Sequence, residues 1–180
     1  MTNEERIKAA WQGRISGCLL GKPVEMISMR EGPIGLNNFL KSAGSIPLRD
    51  YVNYKEHELL RGANKRCCLG KIDKAEVDDD ITYLVLALMM MEQHGLELST
   101  DDVARSWINL LPVGATFTAE RDSYMKLIEK SNMGYQFGGS RTFEFEEIND
   151  GEYNDWIGAQ IRIDMYGWLL PGKPRICLLY

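Results

Sequence analysis

Apolar residues recur at helical spacing in five stretches of the chain, and glycine and proline separate most of them. The first stretch opens at Thr2-x-x-Glu5, a capping box in which each side chain can satisfy a backbone N–H at a helix start. Ile7, Trp11, Ile15, Cys18 and Leu19 then share one face, and the helix is expected to end by Gly21, ahead of Pro23. From Glu31 to Lys74 the periodicity is poor, which predicts a long irregular segment with a short helix or two, of the kind that shapes a pocket.

After Asp80 a helix is predicted up to Gly95, with Leu84, Val85, Leu88 and Met91 on one face; its apolar character almost all round predicts a central, buried position. Ser99-x-x-Asp102 starts another helix, carrying Val103, Trp107, Ile108 and Leu111 to Pro112. A further helix spans Thr118 to Lys130. The stretch "MGYQFGGSRTFEFEEINDGEYN" reads as a loop in which "RTFEFEEI" alternates as a strand would. The last helix is expected from about Asp155 to Leu170, with Trp156, Ile157, Ile161, Met165 and Trp168 inward and Pro171-Gly172 as the stop. These elements predict an all-α fold, an orthogonal helical bundle, with residues 1–180 as a single domain.

Composition narrows the partners. The formal net charge of -5 argues against non-specific binding to nucleic acid or anionic membrane, both of which need clustered Lys and Arg, and leaves small molecules or proteins. Cys18, Cys67, Cys68 and Cys177 fit neither a disulfide framework nor a zinc site, and a reduced, cytoplasmic protein is the expectation. The start of the chain has no apolar signal region, and no run approaches the ~20 apolar residues of a membrane span. Nothing in the pattern sets the oligomeric state.

Three stretches could carry chemistry. In "KAEVDDDITYLVLALMMMEQHG", Asp78, Asp79 and Asp80 meet the apolar helix at its start, where the macrodipole favours a carboxylate by roughly 0.3–1 kcal/mol. One cap needs one aspartate, and three adjacent charges repel; a hard divalent cation, Mg²⁺ first, would relieve them. In "GRISGCLLGKPVE", Gly17 and Gly21 allow close helix approach, and Glu25 follows Pro23 as a lone acid. In "NDWIGAQIRIDMYGWLLPG", Arg162 and Asp164 are interleaved with apolar residues. They make either direct substrate contact or, for Arg162, a core salt bridge with a carboxylate of another helix.

Taken in order, these stretches resemble the ADP-ribosylglycohydrolase family, which includes the dinitrogenase reductase-activating glycohydrolase. "RISGCLLGKPVE" resembles the family's N-terminal helix and G-x-P-x-E turn, "VDDDITYLVLAL" its S/T-D-D-T metal motif, and "WIGAQIRIDMYGWLLPG" a segment that many bacterial members carry next. The resemblance covers nearly all of residues 7–174. It implies an all-α fold with two Mg²⁺ ions in a cleft, and hydrolysis of the glycosidic bond between ADP-ribose and an acceptor, a small molecule or a protein. Asp78 and Asp79 then become metal ligands, or Asp79 and Asp80 if the register slides by one, and Glu25 positions water or ribose. Polarisation by Mg²⁺ suits cleavage through an oxocarbenium-like state.

Three departures accompany the likeness. Cys18 stands where many members have aspartate, Val77 replaces a hydroxyl residue, and the family's second motif, of Asp-x-Asp-Thr type, is missing from the chain. With its apolar end at Ile176 to Tyr180, the chain reads as the N-terminal portion of such a fold, truncated before the remaining ligands. It is then an enzyme by descent whose activity is in question, or a non-catalytic helical protein that binds ADP-ribose or a partner chain.

Overall fold

The computed structural model describes residues 1–130, 143, 145–148, 151–153, 156 and 158–173. The fold is all-α, as the periodicity predicts, with one isolated backbone bridge, Asn53 to Leu69, among the described residues. Seven helices are described: α1 (Asn3–Ser42), α2 (Ala63–Arg66), α3 (Asp79–His94), α4 (Thr100–Leu110), α5 (Thr118–Glu129), α6 (Phe145–Ile148) and α7 (Gly158–Leu169), with 3₁₀ turns at Gly95–Glu97 and Val113–Ala115. None of the described helices is long and apolar enough to cross a membrane. The chain divides into two compact units, Met1–Ile81 and Thr82–Tyr180, with the boundary inside α3.

In the first unit α1 begins as expected. Thr2 accepts from the Glu5 amide at 3.2 Å, and the Glu5 carboxylate accepts from the Thr2 amide at 2.7 Å. The helix does not stop at Gly21. It runs through Pro23, which is fully buried, and breaks only at Gly32, where φ of 68° and ψ of −171° lie in a region open essentially to glycine alone. A proline inside a helix costs about 3 kcal/mol through its missing N–H and a clash with the carbonyl four residues back. Burial of Leu19, Pro23 and Ile27 on the same arm offsets that cost, which is why local propensity misplaces the helix end. Pro33 follows the break at the first position of the second arm, where its missing N–H costs nothing.

The two arms of α1 place Ile27 and Phe39 in one core with Val52, Leu60 and Cys68 from the segment beyond. That segment is irregular apart from α2, as expected, and the Leu69 amide donates to the Val52 carbonyl at 2.8 Å. Arg66 holds Glu76 through two hydrogen bonds, of 2.6 and 2.7 Å, just ahead of the aspartate triplet.

The second unit is built on the rest of α3, whose Tyr83, Leu84, Leu86, Ala87, Met90 and Met91 are buried. Val85 and Met89 are exposed, so this helix is not sealed all round and Val85 does not belong to its inner face. A positive φ at Gly95 turns the chain out of α3. The helix start predicted at Ser99-x-x-Asp102 holds: α4 follows, and the two residues close a capping box. Residues 145–148 of the expected strand are helical, and Arg141, Thr142 and Glu144 lie outside the described residues. In α7 Met165 and Tyr166 are buried, whereas Trp156, expected inward, is half exposed and Ile157 lies outside the described residues.

Candidate functional site

Arg14, Cys18 and Lys22 lie four residues apart along α1, so they form one row on the helix surface. That row meets the start of α3. Asp78 precedes the helix and its carboxylate accepts from the Asp80 amide at 3.1 Å, so one aspartate does cap, as the plainer reading of the triplet holds. The same carboxylate takes a hydrogen bond from Lys22 Nζ, and Lys22 also donates to the Val77 carbonyl at 3.1 Å. Asp80 pairs with Arg14 at 2.6 Å, and the guanidinium reaches the Asp80 carbonyl at 3.3 and 3.4 Å.

Charge and burial separate the three acids. Burial opposes ionisation of Asp78, but hydrogen bonds from Lys22 and Cys18 and the Lys22 charge outweigh it and hold this carboxyl below the usual range. Burial together with the Asp78 charge pushes Asp79 above that range. Asp80 is pushed up to about 6 by burial, against the Arg14 charge and with Asp78 and Asp79 adding to it. The Cys18 thiol is pushed up to about 12, by burial first and then by its hydrogen bond to Asp78 and the charges of Asp78 and Asp80. At neutral pH Cys18 is therefore an S–H donor.

A carboxylate oxygen of Asp78, one of Asp80 and the Cys18 sulfur all lie within 4.8 Å of one another, close enough to surround one ion. The protonated thiol is a poor ligand for a hard cation, so the donors of this group that fit Mg²⁺ are the carboxylates of Asp78 and Asp80. Both already carry a cation from α1, and neighbouring Asp79 has no cation partner among the described residues. The chemistry of the donor set thus fits Mg²⁺, provided that Lys22 and Arg14 share their carboxylates with the ion.

The remaining candidates lie elsewhere. Glu25 is exposed on α1, three residues beyond Lys22, and makes no hydrogen bond or ion pair with a described residue. The "GKPVE" stretch that holds it is helical, not a turn. Arg162 and Asp164 belong to the second unit. Arg162 pairs with Glu120 of α5 at 2.5 Å and lies over the rings of Trp107 at 5.5 Å and Tyr83 at 5.8 Å. This is the salt bridge between helices that stood beside substrate contact in the sequence. Asp164, in the middle of α7, is partly buried.

Arg14, Lys22 and Glu120 are not among the residues singled out from the sequence. For the first two a weak signal was present, since Arg14 and Lys22 stand four residues on either side of Cys18 and so share its side of the helix. Glu120 sits in the first turn of α5, where any acid reads as a dipole partner, and nothing local marks it as buried. Compared with protein-family models, curated proteins and solved structures, the chain shows no match.

Proposed function

We propose that the first unit carries the Mg²⁺-binding half of a hydrolytic centre of the ADP-ribosylglycohydrolase kind, acting on the glycosidic bond between ADP-ribose and an acceptor. One observation carries this reading beyond the resemblance: the carboxylates of Asp78 and Asp80 lie within 4.8 Å of one another against the two cations of α1, while Asp79 beside them has no cation partner among the described residues. A bound Mg²⁺ would balance the Asp79 charge and supply Lewis-acid polarisation of a reacting oxygen. The chain's own residues then divide the work. Asp78, Asp79 and Asp80 hold the ion, Lys22 and Arg14 keep the carboxylates apart and oriented, and exposed Glu25 is available to position water or a ribose hydroxyl.

A second reading is favoured by the ion pairs themselves. Lys22 and Arg14 sit as permanent counterions on a helix start, in a protein that binds ADP-ribose or a partner chain without cleaving it. Calorimetric titration with Mg²⁺ separates the two. The metal reading expects saturable heat that Asp79→Ala abolishes and Lys22→Met strengthens. Absence of heat beyond the Asp79→Ala control would leave the counterion reading standing.

A further inference from the structure

The second unit contains a cavity of about 120 Å³ between α4, α5 and the start of α7. Trp107, Tyr153 and Trp156 supply aromatic walls, with Tyr153 and Trp156 edge to face at 5.0 Å. Glu120 and Arg162 also line it. The Glu120 side chain is nine-tenths buried and only one of its carboxylate oxygens is engaged, by Arg162 at 2.5 Å. The other oxygen has no hydrogen-bond partner among the described residues. Water in the cavity serves that oxygen, and a ligand N–H or O–H can take the water's place. Gly158 keeps the carboxylate in place: a β-carbon there would lie 1.7 Å from the engaged oxygen.

Charge and size narrow the occupant. Arg162 already balances Glu120, and Lys126 pairs with Asp122, the other acid on the wall, at 3.1 Å. Neither of these two lining acids leaves an uncompensated charge for a cation, and an anion would face both carboxylates. Three aromatic side chains suit a flat ring. A cavity of about 150 Å³ takes a benzene, and this one is of the same order, which suits a single ring better than a fused pair. We propose that this cavity binds one uncharged, single-ring nitrogen heterocycle, which donates an N–H to Glu120 and packs against Trp107 and Trp156. The site lies wholly within the second unit and does not depend on the Mg²⁺ reading of the first.

The test uses the full chain, with cytosine and uracil as probes, read by calorimetry and by tryptophan fluorescence. Saturable binding of at least one probe is expected. It should weaken at least tenfold in Gly158→Ala, and at least fivefold in Trp156→Leu, whose half-exposed ring can be removed without lowering the melting temperature. Three results overturn the proposal: no saturable signal with either probe, equal competition by toluene, which would mark a mere apolar void, or tighter binding of benzamidinium, which would mark a cation site. Undiminished binding in Trp156→Leu also overturns it, because the ring would then bind elsewhere.

Discussion

Truncating Lys22 to Met removes a cation from the almost buried Asp78 carboxylate, leaving it hydrogen bonds such as those from the Cys18 thiol and the Asp80 amide. A fully sealed pair broken in this way loses about 3–5 kcal/mol. Water reaches part of this cluster, so Lys22→Met should lower stability by on the order of 1–3 kcal/mol, measured by urea unfolding. Two acids give opposite pH responses. Hydrogen bonds from Arg66 outweigh burial and hold Glu76 below the usual carboxylate range. The folded state therefore binds that proton less tightly than the unfolded chain, and the stability Glu76 contributes is present above about pH 4.3 and lost as pH falls through its lowered value. Unfolding curves taken from about pH 5 down to about pH 3 should show this loss, and Glu76→Gln should flatten it. Asp80 behaves the other way, because its folded value of about 6 lies above the unfolded one. Its contribution declines as pH rises from about 4 towards 6 in the ion-free protein. Carboxyl carbon NMR should find it titrating near 6, and higher still in Arg14→Met.

At the scale of helices, the break at Gly32 carries the sharpest expectation. Its φ of 68° with ψ of −171° is closed to a side chain, so Gly32→Ala should cost about 1–3 kcal/mol in thermal or denaturant unfolding. Ser99→Ala, which removes a cap that closes on Asp102, should cost about 0.5–2 kcal/mol. Both capping boxes were legible because the partners lie three residues apart and need nothing from the rest of the fold. The path through Pro23 was not, because what keeps that segment helical is burial with Leu19 and Ile27, and its gain comes from distant residues such as Phe39 and Val52. The exposure of Val85 was equally hidden: a helix that is apolar all round does not declare which side stays wet. Of the candidate site, the acids at the start of α3 could be read directly. Their counterions could not, because an ion pair between residues 66 positions apart leaves no local trace beyond the four-residue row on α1.

For the molecule as a whole, each unit has its own buried residues, Ile27, Phe39 and Val52 in one and Leu84, Met90 and Met165 in the other. Ile27→Ala should cost about 2–5 kcal/mol. Hydrogen exchange should show lost protection across residues of the first unit while α4, α5 and α7 keep theirs. The row formed by Arg14, Cys18 and Lys22 has one more consequence. Because α1 brings two cations to the aspartates within the same chain, Asp78 and Asp80 have their counterions as soon as the backbone folds. Folding then does not wait for an ion from solution. Preparation in a chelator should leave the helical circular dichroism unchanged, and added salt should matter little at these half-buried pairs. Any divalent ion that binds arrives as a late competitor for carboxylates that the fold has already occupied.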